Sequence, residues 1–541
     1  MDLSDIIDRN ASFNPDKIAV RYDGRTFTYA QFSDRIAAAA RALRSGIGLG
    51  PGDRLAILAL NHPDTLVLLY ACARLGAMLV PLNWRLAPAE QVFILRDAAV
   101  KAIVLQHAFE DVIEPLAAAL PQCRVIGLDD APPDAARRAS WSLDALIASG
   151  TGDGRSPHVD MRDPLMIVYT SGTTGRPKGA VLRQEALLWN AAMSHHMHDM
   201  TSADHILTVL PMFHVGGLNI QTTPALQIGA TVTIHARFAP GAMLDAIATD
   251  RPTISVLVPS TMQAVVEHPK WSTTDLSSLR VLNTGSTQVP QAMIDAFVGR
   301  GIPVVQTYGS TETSPIAVYS TVSGDWRRPG STGLPGLHCE ARIVDDQMNE
   351  VAHGTPGEIA VRGPNVFFEY WGNADATAET LRDGWYLSGD IGTRDADGYF
   401  YVHDRKKNLI ISGGENIYPA EIERVLLSHP AIAEAAVIAR PDPRWQEVPV
   451  GCIVLRDGQA IDPAAIEAFC LAELARFKVP REYRFLPSLP RNAMGKVQHF
   501  VLRDELAGGV VRRFGSSPPH AMSEETSGSA SPCIPGRWND G

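Results

Sequence analysis

The chain has 541 residues, length for more than one domain, and 45% are hydrophobic against 20% charged, which excludes global disorder. Lys and Arg number 48 and Asp and Glu 59; a net charge of −11 argues against a dedicated nucleic-acid binder, which needs a basic field to displace counterions. Six cysteines without a CxxC spacing argue against a disulfide scaffold or a zinc ribbon. The first ten residues, MDLSDIIDRN, are acidic and lack a signal-type apolar run, so a cytoplasmic protein with reduced thiols is expected.

Residues 10–110 alternate short apolar runs with helical patterns. Residues 54–60 read as a strand, 63–76 as a helix with Pro near its start and Gly near its end, and 77–82 and 102–106 as further strands. The most apolar stretch, 65–82, contains Arg74 and reads as a buried helix running into a strand, not a membrane span. Such alternation predicts parallel sheet with helices on its faces. Residues 130–162, rich in Asp, Pro, Gly and Ser, read as a loop. Strands resume at 165–170, 206–210, 231–234, 254–258, 280–283 and 304–307, several of them Val/Ile-rich as buried parallel strands are. From 330 to 404, Gly, Pro and Asp recur between short strands (EIAVRG, GYFYVHD), which predicts a smaller, mostly antiparallel β region. Beyond Asp404, helix 419–428, strands 432–439 and 449–456, helix 463–475 and strand 482–486 suffice for a small α+β domain. Residues 509–541 are Ser/Gly/Pro-rich and read as a disordered tail. The expected class is α/β: a body (1–404) of two mixed α/β subdomains plus a β region, a mobile lid (405–508) and the tail.

The strongest local signal is YTSGTTGRPKG at 169–179, directly after an apolar strand. Glycines let backbone N–H groups approach phosphate oxygens, the hydroxyls add donors, and Lys178 adds charge. A flexible surface loop is the bland alternative. A helical pattern is expected from Ala180. The spacing is not that of a Walker loop.

With LPMFHVGG (210–217), TYGSTET (307–313), YLSGDIG (386–392), DRKKNLIISGGENIYPAEIE (404–423) and PRNAMGKV (490–497) in order, the chain resembles the adenylate-forming superfamily from about residue 10 to 505. That superfamily comprises acyl- and aryl-CoA ligases, peptide-synthetase adenylation domains and firefly-type luciferases. The resemblance implies ATP, Mg²⁺ and coenzyme A as reactants, and a small-molecule carboxylic acid as partner. Thr170, Ser171, Gly172, Thr173, Thr174, Gly175 and Lys178 match the loop on the β- and γ-phosphates, and Glu312 the carboxylate that helps hold Mg²⁺. Tyr308 matches the residue against adenine, Thr311 the α-phosphate contact, and Asp390 and Arg405 the ribose contacts. Lys496 matches the lysine that reaches carboxylate and α-phosphate while negative charge concentrates there. For the thioester step, Lys407 matches the hinge of a rotating lid, and Ser412, Gly413, Gly414 and Glu415 the loop along the pantetheine tunnel. His214 is expected to position the substrate carboxylate. His195, His196 and His198 read as one helix face, not a metal site.

Three departures stand out. The wall usually written as two glycines and a small residue is Gly285, Ser286 and Thr287; Asn408 follows the hinge lysine where an acid is frequent; Ala493 and Met494 precede Gly495-Lys496. The acyl pocket, expected from Val215, Gly216, Gly217, Leu218, Ala317 and Val318, looks apolar and open. No acid stands in PMFHVGG to bind an amino acid's ammonium, and no arginine is placed for a second carboxylate. A monocarboxylic acid is therefore expected. Motif texture leans to a medium- or long-chain fatty acid, with a coumarate- or ferulate-type aryl acid as the alternative. A non-catalytic ATP or acyl-CoA binder is the alternative of another class, opposed by the intact Lys496, Glu312 and Asp390.

Overall fold

The computed structural model describes residues 1–506 except 129–140, 171–176, 286–288, 325–326, 413–414 and 492–494. The expected tail, and Ser171–Gly175, Ser286, Thr287, Gly413, Gly414, Ala493 and Met494 among the expected site and departure residues, lie outside the described residues.

Among the described residues the body holds two large sheets and a smaller one. The first runs through five parallel neighbours, Thr231–Ile234, His205–Thr208, Ile254–Leu257, Val281–Gly285 and Val304–Tyr308. Val318–Tyr319 then adds antiparallel. At the other side Ile18–Tyr22 joins parallel to Thr231–Ile234 and turns back as Arg25–Thr28. The second sheet centres on the parallel strands Met78–Pro81, Arg54–Leu58 and Ala102–Leu105. Helix Pro63–Leu75 is buried along its whole length, as its all-round apolar sequence requires. It starts on Pro63 and is closed by Gly76. One core joins it to Leu55 and Leu79 of the second sheet and Ile206 and Val232 of the first.

The segment after the phosphate motif differs from expectation. Residues Lys178–Arg183 form a strand antiparallel to Pro164–Thr170, and the helix begins only at Gln184. The run KGAVLR carries no helical stripe; its Ala180, Val181 and Leu182 are all buried, as in a strand covered on both faces. The motif therefore closes a hairpin instead of opening a helix. Within the expected loop 130–162, Trp141–Ser142 adds a strand and Leu143–Ser149 a helix capped by Ser142.

The β region is antiparallel: Glu340–Val344, Gly357–Arg362, Trp385–Arg394 and Phe400–Arg405. A further sheet pairs Ile410–Ser412, Gln446–Leu455 and Ile432–Asp442 antiparallel, with Glu482–Phe485 parallel to Gln446–Leu455. Helices Pro419–Leu427 and Pro463–Glu473 share a core with it through Ile422, Leu426, Ile466 and Cys470. Helix His499–Leu506 ends the described chain.

Candidate functional site

Asp390 is delivered by an irregular strand pairing. Glu358 lies opposite Ile391 and Ala360 opposite Leu387, so Ser388, Gly389 and Asp390 together face the single residue Ile359 and bulge outward. Gly389 sits at φ +70°, a conformation that costs a side-chain-bearing residue energy. Ser388 Oγ donates to the Ile359 carbonyl (2.7 Å), and the Asp390 amide donates to Ser388 Oγ (3.1 Å). The Asp390 carboxylate, 7% exposed, meets Arg405 Nε at 2.6 Å through one oxygen and accepts from Tyr308 Oη at 2.8 Å through the other. Burial raises the Asp390 pKa, against the pull of Arg405 and Tyr308. Burial disfavours the Arg405 charge, yet Asp390 and its neighbours hold the guanidinium pKa above its ordinary value. The residues expected at adenine and ribose thus form one hydrogen-bonded set.

Glu312 is buried in the short turn Thr311–Thr313. Tyr370 Oη donates to its Oε1 at 2.7 Å. The segment around Tyr370 straps two motifs together. The Phe367 amide donates to the Glu312 carbonyl (2.7 Å), while the Phe368 and Trp371 amides donate to the Val181 and Gly179 carbonyls. Lys178 Nζ stands 5.3 Å from the Tyr370 ring centroid, a cation–π distance. Thr170 pairs with Lys178 across the hairpin neck. Tyr386 Oη meets Ser310 Oγ at 3.0 Å. Tyr370 and Tyr386 were not singled out in the sequence. Their partners lie 58 and 76 residues away, so no local spacing reports them.

Lys496 comes in from the far end of the chain. Burial and Arg405 lower its pKa, and Asp390 and Glu312 oppose that, so its ammonium feels both body carboxylates. Arg491 braces the loop: it forms a β-bridge with Val497, and its guanidinium donates to the Gly495 carbonyl (2.6 Å) and to Glu434. Arg491 too is a residue that the motif reading passed over.

His214 caps the helix Val215–Asn219 at its N-terminal side. Burial, with Lys496 and Arg85 adding repulsion, drives its pKa down to about 3, so the ring is neutral. Its buried Nε2 has no hydrogen-bond partner among the described residues, and a group that accepts or donates one hydrogen bond would satisfy it. The two glycines behind it are not equivalent. A Cβ on Gly216 would meet open space, whereas one on Gly217 would lie 2.3 Å from the Pro211 carbonyl oxygen. Gly217 therefore serves chain packing, and of the two glycines expected at the open pocket only Gly216 faces open space. Val215, Leu218, Ala317 and Val318 are all buried in the main core. Gly285 closes its strand against Thr307; a Cβ there would lie 2.3 Å from the Thr307 carbonyl oxygen.

His195, His196 and His198 end the helix Gln184–His198 and turn to separate partners: the Pro224 carbonyl, Tyr319 Oη and Ser194. At the expected hinge, Lys407 is exposed in the turn Lys406–Asn408, and burial, Arg405 and Arg503 lower its pKa. Asn408 Nδ2 donates to Asp404 Oδ1 at 3.2 Å. Ser412 pairs with Glu415 at the base of its hairpin. No helix among the described residues is long and apolar enough to cross a membrane.

Residues 7–371 match the family model of the AMP-binding enzyme and 421–496 that of the AMP-binding enzyme C-terminal domain. The chain is 46% identical over 509 residues to indoleacetate–CoA ligase of Aromatoleum aromaticum, covering 94% of this chain and 98% of that one. It is 40% identical over 511 residues to feruloyl-CoA synthase of an Amycolatopsis species, with the same coverage. Identity to a long-chain-fatty-acid–CoA ligase of Mycobacterium tuberculosis is 34% over 486 residues, covering 90% and 94%. Among solved structures, the o-succinylbenzoate coenzyme A synthetase of Bacillus subtilis in complex with ATP and magnesium superposes with a TM-score of 0.81 at 30% identity, covering 94% and 99%.

Proposed function

The chain belongs to the AMP-binding enzyme family, and from that premise we propose that this acid–CoA ligase activates an aryl-substituted monocarboxylic acid, an arylacetate or arylpropenoate. The observation that carries the reading is the order of its relatives: 46% and 40% identity to ligases named for indoleacetate and ferulate, against 34% to one named for long-chain fatty acids. This reading puts the aryl acid first, where motif texture put the fatty acid.

In this reading the acid and ATP give an acyl-adenylate and pyrophosphate, and the CoA thiol then displaces AMP. Tyr308 backs the adenine, and Asp390 with Arg405 takes the ribose hydroxyls. Thr170 and Lys178 flank the phosphates at the neck of their loop, and Thr311 serves the α-phosphate. Glu312, held by Tyr370, fits Mg²⁺: a hard cation that also takes phosphate oxygens needs only one or two carboxylates. When bound, the metal neutralises charge on the phosphate oxygens. Lys496 bridges the attacking carboxylate and the α-phosphate, where a cation lowers the barrier most. Neutral His214 offers Nε2 to the acid. We further assign the hinge to Lys407, with body 1–404 and lid 405–508 on either side, and Ser412 and Glu415 to the path of the thiol arm.

The test is CoA-dependent AMP release over a panel of indoleacetate, phenylacetate, ferulate, coumarate, octanoate and palmitate. We expect kcat/KM for an aryl acid to exceed that for either alkyl acid by about tenfold or more, the scale at which pocket shape discriminates. A preference for octanoate or palmitate would overturn the aryl assignment. ATP binding without turnover of any acid would overturn the ligase mechanism.

A further inference from the structure

The bulge that carries Asp390 and the turn that carries the hinge share an anchor outside every motif considered above. Glu358 is buried at the start of strand Gly357–Arg362. Its Oε1 accepts the Gly389 amide at 2.9 Å, immediately before Asp390. Its Oε2 meets Lys406 Nζ at 3.0 Å, immediately after Arg405. Lys406 is also 2.8 Å from Asp346, an exposed carboxylate. One carboxylate therefore braces the residue next to each member of the Asp390–Arg405 pair.

We propose that Glu358 is a positioning residue that couples the nucleotide site to lid orientation. Through the Gly389 amide it fixes the bulge that aims Asp390. Through Lys406, the residue just before the hinge, it latches the hinge turn Lys406–Asn408 and so favours the lid orientation in which Lys496 reaches the body carboxylates. The two oxygens do separable work, because a neutral amide oxygen still accepts from Gly389 but offers Lys406 no charge. The proposal rests on the reading that Asp390 and Arg405 hold ATP and that Lys407 is the hinge.

Two half-reactions separate the roles: acid-dependent ATP–pyrophosphate exchange for adenylation, and thioester formation from supplied acyl-adenylate and CoA. Lys406→Gln is expected to slow adenylation about fivefold, the scale of a partly exposed ion pair, and to leave thioester formation unchanged or faster. Glu358→Gln should give the same profile, and the double variant should be no worse than either single one, since both remove one interaction. Glu358→Ala should in addition raise the KM for ATP about tenfold, as expected when a buried amide loses its charged acceptor. Asp346→Asn should stay within about twofold of the parent in both assays. Losses that multiply in the double variant, equal losses in both half-reactions for Lys406→Gln, or an Asp346→Asn effect as large as that of Lys406→Gln would each overturn the latch. Should Glu358→Ala not fold, the glutamine variants decide alone. A parent enzyme without acid-dependent exchange would instead refute the underlying ligase mechanism, which distinguishes the two failures.

Discussion

The anions and the cations of the site are held in opposite ways. Glu312 and Asp390 are each 7% exposed and are fixed by body residues: Tyr370 on one, Tyr308 and the Ser388 bulge on the other. Arg405 leaves 46% of its side chain exposed, and Lys496 sits on a loop that Arg491 of its own domain braces. The body thus presents a preset pair of carboxylates with Lys178 beside one of them, and the further positive charge comes from Arg405 and from Lys496, beyond the proposed hinge. A site divided this way separates nucleotide binding from the chemical step. Substitutions on the two sides should fail differently: in the rate of a half-reaction on the cation side, and in the metal or nucleotide requirement on the anion side.

The largest effect should come from the cation side. Lys496→Ala is expected to slow adenylation by about 10³-fold, the scale for removing a group aimed at developing charge, while thioester formation from supplied acyl-adenylate stays within a few-fold. Equal losses in the two assays would erase the division. Next comes the hinge: Lys407→Pro, which fixes φ, should impair thioester formation about tenfold more than adenylation, and an unimpaired thioester step would break the comparison from the other side. On the anion side, Tyr370→Phe deprives Glu312 of its donor. The Mg²⁺ concentration for half-maximal pyrophosphate exchange should rise about fivefold, near the net worth of about 1 kcal/mol for one hydrogen bond. An unchanged Mg²⁺ requirement would detach Tyr370 from the metal carboxylate.

The smallest effect concerns stability. Burial lowers both His198 and His214 from 6.5 to about 3. The unfolded chain takes up those protons below about pH 6.5 and the folded chain does not, so stability is complete above that pH and falls as pH drops toward 3. The slope is at most about 1.4 kcal/mol per pH unit for each histidine. Urea midpoints at pH 7.5 and 5.5 check this, and His198→Gln should lose less on acidification than the parent. An equal loss would remove His198 from the account.

The parallel core was legible because buried strands write themselves as short apolar β-branched runs, as at Ile254–Leu257 and Val304–Tyr308. The hairpin at Lys178–Arg183 was misread since a short buried run carries no period that separates strand from helix. The Ile18–Tyr22 hairpin was missed despite a readable signal, Asp23-Gly24, both of which take positive φ as a two-residue hairpin turn demands. In the site, the residues of the ordered motifs were named in advance. Tyr370 and Glu358 were not, since each acts on a motif residue from another element and only the folded register brings them there; Tyr386 and Arg491 stand inside the quoted motifs but were given no role. The roles of Gly216 and Gly217 separated for a similar reason: adjacent and identical in sequence, they face different surroundings.

The first sheet also sets an order of events during synthesis. Ile18–Tyr22 has its parallel partner at Thr231–Ile234, about 200 residues later, which at about 5–20 residues per second leaves the amino-terminal hairpin waiting some 10–40 seconds on the ribosome. During that interval the edge that Thr231–Ile234 later covers is open to pairing with other chains. The centre of the second sheet meets a shorter delay, because Arg54–Leu58, Met78–Pro81 and Ala102–Leu105 lie close together in the chain, whereas its edge strand Glu369–Tyr370 pairs with Lys178–Arg183 from far along the chain. The short separations at that centre favour its early formation, while the amino-terminal hairpin keeps an open edge until its partner emerges.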